Sequence, residues 1–180
     1  YNHAALDALW KIIEQHSEVK NINQIKKIEV QSYNLAAELN DQNPRNVLAC
    51  KFSIPFAIST TLVNLDSGVL SFTEIMRTNK NIQNLCQKVT IVEDTTMTEK
   101  TPDLRPADVH VLMENGSTFK AQVTTNRGDW QDPYSEEELK QKFISLTTRL
   151  WSQKKALNVY SKSIKLEKIP LDDLINSIIN

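Results

Sequence analysis

The sequence predicts an α+β fold: a partly antiparallel sheet of about four strands with packed helices, followed by C-terminal helices. Apolar residues recur at helical spacing near both ends of the 180-residue chain, whereas in four short segments they alternate with polar residues. An Asn115-Gly116 pair separates the last two alternating segments, and Asn-Gly in this setting is the strongest short signal for a β-hairpin. This order of elements favours one sheet with helices packed on it.

The first predicted elements are a helix and a strand. Residues 3–16 place apolar side chains on one helical face and charged side chains on the others, which predicts an amphipathic helix. In residues 25–33, Ile28 and Val30 alternate with charged and polar neighbours, which predicts a strand. A polar loop through Asn43-Pro44 follows.

Two helical segments come next. Residues 54–64 are predominantly apolar, and Ser53 before them is a natural N-cap because its hydroxyl can accept a hydrogen bond from a backbone N–H group of the first turn. We expect Gly68 to end this segment. Ser71 and Glu74 have the spacing of a capping box, so a second helix is predicted from there to about residue 87.

Three further strands and three helices complete the predicted fold. The strands cover residues 88–93, 108–114 and 118–125. Ser135 and Glu138 form another capping box and open a helix. Residues 154–164 predict the next helix, and Pro170 begins the last one, with acidic residues in the first turn where the helix dipole favours them.

Composition limits the partners and compartments of the chain. Its formal net charge is -1, which gives no reason to expect binding to nucleic acid or to a membrane surface. The sequence has no apolar run near the roughly 20 residues of a membrane-spanning helix. The chain starts at Tyr1 without an initiator Met or a signal-peptide pattern, so we expect a cytoplasmic protein whose sequence begins within a longer one. Cys50 and Cys86 form no CxxC pair and are predicted to be reduced, packed thiols.

The common catalytic and metal-binding motifs are missing from the sequence. It contains no G-x-S-x-G, P-loop, G-x-G-x-x-G or H-E-x-x-H pattern. His3, His16 and His110 have no second ligand at a recognised metal spacing, so no metal site is predicted. His110 lies out of phase with the apolar residues of its strand, which is typical of a solvated residue.

Three stretches of the sequence resemble one enzyme family. In the first, Tyr1 to Ala8, a histidine opens a helix that contains Asp-Ala. The second, Cys50 to Ala57, contains the pattern K-F-S-apolar-P-aromatic-A and is the most specific. The third, Gly128 to Phe143, has the pattern G-x-x-x-x-P-x-S-x-x-E-L-x-x-K-F. By their order and spacing the chain is identified as a member of the MmgE/PrpD family, that of 2-methylcitrate dehydratase and cis-aconitate decarboxylase, and as its C-terminal portion.

The resemblance implies that the domains of the full protein have different roles. In this family a large helical domain carries several catalytic groups, a smaller α+β lid follows, and the chain then returns to the helical domain. Residues 1–128 would form the lid-type domain. Residues 129–180 would form the C-terminal helices, whose apolar faces pack on the N-terminal helical domain. The resemblance also implies a homodimer and a cofactor-free site, and we expect this chain by itself to be inactive.

The resemblance further implies a lyase that acts on a small di- or tricarboxylate. Dehydration of 2-methylcitrate or a similar acid is the leading hypothesis. That reaction removes a proton beside a carboxylate and adds charge to a group that is already negative, so lysine, histidine and backbone donors must stabilise it. Alternatives are racemisation, epimerisation or decarboxylation within the same family, or a non-catalytic interaction module.

Three residues of the matched stretches are candidates for the site. His3 is the catalytic candidate because histidine carries protons near neutral pH, although it could instead orient the interdomain loop. Lys51 and Ser53 are candidates for binding substrate, since a cation beside a helix N-terminus favours a carboxylate. Lys51 could equally be a solvated side chain, and Ser53 could be only an N-cap.

Overall fold

The structure is a computed structural model that describes residues 1–179, and it confirms the predicted α+β fold. In chain order the elements are α1 (His3–Gln15), β1 (Ile25–Ser32), α2 (Asn34–Ala37), α3 (Val47–Lys51), α4 (Ile54–Asn64), α5 (Glu74–Arg77), α6 (Lys80–Cys86), β2 (Val89–Glu93), α7 (Thr95–Thr98), β3 (Ala107–Met113), β4 (Thr118–Val123), α8 (Glu136–Thr147), α9 (Gln153–Ser163) and α10 (Leu171–Ile179). The sequence did not predict α2, α3 and α7, because four or five residues are too few to show a helical period.

Within residues 1–179 the strands form one mixed sheet in the order β2-β1-β3-β4. Strand β1 pairs in parallel with β2 and antiparallel with β3, and β3 pairs antiparallel with β4. Gly116 in the turn between β3 and β4 has a φ of 87°, a conformation that favours glycine. The predicted hairpin and the partly antiparallel sheet are therefore confirmed.

One face of the sheet carries the core of the protein. Ile28, Val30 and Val109 are completely buried there, and α1 and α4 pack over this face. The intervening residues point to the other face, as strand geometry requires. On that face His110 is half-buried, and its Nε2 lies 3.1 Å from Oδ1 of Asp108.

The end of α4 differs from the prediction. The helix stops at Asn64, and the left-handed residue after it is Leu65 (φ 50°), whereas Gly68 has an ordinary negative φ. Thr60 in α4 donates a side-chain hydrogen bond to the carbonyl oxygen of Ser71 (2.9 Å), which ties the following loop back to the helix. The turn after α4 is thus held by side-chain contacts, without a glycine C-cap.

The predicted capping box at Ser71 and Glu74 is wrong. The hydroxyl of Ser71 donates instead to the carbonyl oxygen of Asp66 (2.7 Å). Thr73 caps α5 and Asn79 caps α6, so the single helix expected up to residue 87 is two short helices. A second local cap at Asn79 interrupts the segment.

Cys50 and Cys86 are both free and buried, as predicted. Burial raises the pKa of each thiol to about 11, which keeps both thiols protonated near neutral pH. Across the described part of the chain, every helix is too short or too polar to cross a membrane.

The chain forms two compact units, Tyr1–Asp132 and Pro133–Asn180. The second unit contains α8, α9 and α10. The predicted capping box of Ser135 and Glu138 opens α8, and the rings of Phe143 and Tyr160 pack α8 on α9 with 5.5 Å between their centroids. In the same unit Lys162 of α9 donates to the carbonyl oxygen of Asp173 in α10 (2.8 Å).

Candidate functional site

A cavity of about 230 Å³ in the first unit is lined by Tyr1, His3, Ala4, Tyr33, Arg105 and Asn126. These residues come from four separate parts of the chain. Two of them, His3 and Arg105, have basic side chains, and the set contains no aspartate or glutamate. The cavity therefore offers an environment that favours a bound anion.

The sheet explains why Tyr33 and Arg105 meet. Tyr33 directly follows β1, and Arg105 lies two residues before β3. The antiparallel register pairs Ser32 with Ala107, which puts the end of β1 beside the start of β3. The hydroxyl of Ser32 also donates to the carbonyl oxygen of Pro106 (2.7 Å), so the backbone next to Arg105 is anchored to β1.

Asn126 reaches the same place from the end of β4. Ala107 pairs with Val123, so β4 ends beside the start of β3. The backbone N–H of Arg127 donates to Oδ2 of Asp7 in α1 (2.7 Å), which ties the loop after β4 to α1. This contact brings Asn126 to the cavity that also contains His3.

The start of α1 forms one wall of the cavity through His3 and Ala4. Asn2, the N-cap residue, makes no side-chain capping hydrogen bond. Its Nδ2 donates instead to the carbonyl oxygen of Lys51 (3.0 Å), and its Oδ1 is buried with no partner among residues 1–179. The first turn of α1 thus lacks the side-chain acceptor that usually satisfies its N–H groups, and such groups favour an anion.

Tyr33 supplies a neutral hydrogen-bond donor. Its side chain is 2% exposed, and its ring packs edge-on against Tyr1 with 5.9 Å between the centroids. Burial raises the pKa of Tyr33 to about 12, although the nearby charge of Arg105 opposes this shift. The phenol therefore stays protonated near neutral pH and can donate to an anion.

The residues predicted for the site occupy different environments. His3 lies at the cavity. Lys51 has an exposed side chain at the end of α3, and its carbonyl oxygen accepts from Asn2. Ser53 is completely buried and its hydroxyl accepts from the N–H of Phe56 (2.9 Å) and donates to the carbonyl oxygen of Asp41. These contacts confirm Ser53 as the N-cap of α4, and contact of Lys51 or Ser53 with substrate stays a prediction.

Three cavity residues, Tyr33, Arg105 and Asn126, were not among those predicted from the sequence. Each lies in a loop just outside a strand, where its neighbours in sequence carry no motif. These residues could have been predicted only from their positions beside the strand ends. Side chains next to neighbouring strand ends lie close together, but the strand order must be known first. That order requires the pairing of β1 with β3, which the sequence did not specify.

A larger cavity of about 620 Å³ runs along α1 and is lined by residues of both charge signs, among them Asp7, Lys11, Glu14, Arg127 and Asp132. Burial raises the pKa of Asp7, whereas the hydrogen bond from the Arg127 N–H opposes the shift. The mixed charges give this cavity no clear preference for one class of ligand. Among residues 1–179, no group of three or more histidine, cysteine, aspartate or glutamate side chains could hold a metal ion.

Comparison with known proteins adds one finding. The family model for the MmgE/PrpD C-terminal domain matches residues 1–166. The matched residues include the whole first unit and most of the second. A search of curated proteins finds no match to the chain.

Proposed function

The chain belongs to the MmgE/PrpD family, and from this premise we propose that it forms the lid part of a lyase acting on a small di- or tricarboxylate. The family includes lyases. Dehydration of 2-methylcitrate, or of a similar acid, is the reaction that we propose first. The N-terminal helical domain of the same protein would complete the site, and the full protein would act as a homodimer.

The cavity at the start of α1 is the observation that carries this proposal. It combines a histidine, a buried phenol and a helix start without a side-chain cap, and its lining has no acidic side chain. A substrate carboxylate placed there would receive hydrogen bonds from neutral and positive donors only. Such preorganised donors are what a carbon acid beside a carboxylate needs as its negative charge increases.

His3 is the proposed base. A neutral imidazole would take a proton from the carbon beside the carboxylate, the electron pair would form the carbon–carbon double bond, and the carbon–oxygen bond would break. Protonated His3 could then return the proton to the departing hydroxide, which leaves as water. Tyr33 would donate a hydrogen bond without losing its proton, because its pKa is about 12.

The test is an activity screen of the full-length protein on 2-methylcitrate, citrate, cis-aconitate and iminodisuccinate, with products identified by NMR. We expect an unsaturated product from one of the hydroxy acids and a large loss of rate in His3→Asn. His16→Asn is the matched control, since His16 lies outside the cavity and stacks on Phe119 with 4.4 Å between the ring centroids. Turnover of only cis-aconitate or iminodisuccinate would replace dehydration by decarboxylation or epimerisation. Full activity of His3→Asn would contradict the proposed base.

A further inference from the structure

We propose that Arg105, positioned by Asp129, binds a second carboxylate of the substrate and thereby selects acids with more than one carboxylate group. This inference rests on the proposed function, because it names a specificity residue for the same cavity. It assigns to Arg105 a role that its sequence context, Leu104-Arg105-Pro106, does not indicate.

Most N–H donors of the Arg105 guanidinium group form no hydrogen bond within residues 1–179. One nitrogen, Nη1, donates to Oδ2 of Asp129 (2.9 Å). A guanidinium group has five N–H donors in a planar fork that suits a carboxylate. Within residues 1–179, the pair with Asp129 is the one hydrogen bond that this side chain makes. Since Arg105 lines the cavity, its remaining donors are available to a ligand there.

Asp129 is itself anchored, which makes it suited to position the arginine. Its Oδ1 accepts from the N–H of Trp130 (2.8 Å), and its own N–H donates to the carbonyl oxygen of Asn126 (3.2 Å). A second cross-link joins the same two loops, because Nε2 of Gln131 donates to the carbonyl oxygen of Asp103 (2.8 Å). An arginine confined in this way loses less conformational entropy when it binds a ligand.

Arg105 and the start of α1 come to the cavity from separate parts of the chain. His3 and Ala4 of the first turn of α1, together with Tyr33 and Arg105, line this one cavity. Tyr33 and Arg105 come to this lining together because the antiparallel register pairs Ser32 with Ala107. One carboxylate at the start of α1 would therefore leave Arg105 for another carboxylate of the same molecule.

Kinetics of the full-length protein can distinguish this role from one in which the Arg105–Asp129 pair only holds two loops together. We expect Arg105→Gln to raise KM for the best tricarboxylate by about 10- to 100-fold, as the loss of a charged hydrogen bond to substrate would, with a smaller change in kcat. Arg77→Gln is the matched control, because Arg77 also pairs with a carboxylate, that of Glu74, but does not line the cavity. Asp129→Asn breaks the same ion pair and keeps the guanidinium. We expect Asp129→Asn to raise KM less than Arg105→Gln does, because the guanidinium group is still present. Equal increases in KM, as expected if the pair only holds the two loops together, would overturn the inference.

Direct binding separates this inference from the proposed reaction. The probe is tricarballylate, a non-reactive tricarboxylate, measured by calorimetry on the full-length protein and on Arg105→Gln. If the wild type turns over an acid and Arg105→Gln keeps the wild-type KM, the inference is wrong and the proposed function stands. If no acid is turned over, binding at least about tenfold weaker in Arg105→Gln still supports the inference. Equal binding, or no binding to either protein, overturns it.

Discussion

The side-chain amide of Asn2 donates a hydrogen bond to the backbone carbonyl oxygen of Lys51, with 3.0 Å between the two atoms. The two residues belong to two separate stretches of sequence that resemble the MmgE/PrpD family. The bond joins the start of α1 to the end of α3 and takes the Asn2 side chain away from capping α1. The residue before His3 therefore serves tertiary structure, and the first turn of α1 keeps its N–H groups without that cap.

Replacing Asn2 by alanine should destabilise the protein modestly. The substitution removes a partly buried hydrogen bond, worth about 1 kcal/mol in the free energy of unfolding, and it also removes the Oδ1 atom that has no partner among the described residues. Urea denaturation would measure the loss. Asn21→Ala is the control, because Asn21 is exposed and makes no side-chain capping bond. Equal stability of the two variants would show that the bond to Lys51 contributes nothing.

Lys51→Ala in the full-length protein should lower kcat/KM by more, in free-energy terms, than it lowers the free energy of unfolding. Loss of a charged contact to a carboxylate costs about 1.5–3 kcal/mol in binding. The Lys51 side chain is exposed, so its removal should change the free energy of unfolding little. Steady-state kinetics and thermal unfolding would be compared with Lys20→Ala, another exposed lysine. An unchanged kcat/KM would identify Lys51 as a solvated side chain.

Tyr33→Phe should lower kcat/KM and leave stability nearly unchanged. The variant keeps the buried ring and removes a hydroxyl that forms no hydrogen bond with another residue of the described chain. Because that hydroxyl would donate a hydrogen bond to the developing negative charge, its removal should lower the rate by roughly 100-fold, as the loss of one preorganised donor does. Tyr160→Phe removes a hydroxyl from the second unit and serves as the control. A rate equal to that of the control would exclude Tyr33 from the reaction.

Asp7→Asn should raise stability, and the gain should depend on pH. Burial raises the Asp7 pKa above its ordinary value of 3.8, so in the pH range between the two values the folded state holds a proton that the unfolded state releases. The wild type therefore loses stability as pH rises through that range. The amide oxygen of the variant can still accept from the N–H of Arg127. The variant's advantage should appear above about pH 4 and then level off.

Asp94→Asn provides a control of opposite sign. Hydrogen bonds from Thr96 hold the pKa of Asp94 below its ordinary value, so its contribution to stability is present above the ordinary pKa and is lost as pH falls. Asp94→Asn should therefore be less stable than the wild type near neutral pH and converge with it in acid. Denaturation curves from pH 3 to pH 7 would give both comparisons. Parallel curves for Asp7→Asn and the wild type would contradict the first prediction.

The second unit should drive self-association of the isolated chain. It exposes large apolar side chains, among them Leu150 in the turn after α8 (90% exposed) and, in α10, Leu171 (59%) and Ile179 (73%). Burying one such side chain is worth roughly 1.5–3 kcal/mol, so several of them together favour contact with another surface. Leu150→Lys with Leu171→Lys should shift sedimentation toward the monomer, whereas Ser161→Lys should not. A monomeric wild type with slow hydrogen exchange in residues 170–179 would contradict this prediction.

Prediction from the sequence succeeded where the signal is local. The pattern of apolar residues located α1, α4 and the four strands, and the caps at Ser53 and Ser135 lie where the residue types indicate. It failed at Gly68 and Ser71, where side-chain contacts of Thr60 and Ser71 hold the turn. A glycine permits a helix to end and a capping pair permits a helix to begin. Contacts with other residues decide whether the helix in fact ends or begins there.

For the candidate site, the sequence alone determined the family resemblance and the position of His3 at the start of a helix. The tertiary structure decided which side chains accompany His3. Tyr33, Arg105 and Asn126 lie around the same cavity because the end of β1, the start of β3 and the end of β4 are at the same end of the sheet, and that arrangement depends on strand register. Register is set by many pairings between distant residues, so the site follows from the sum of these contacts, which no short stretch of sequence specifies.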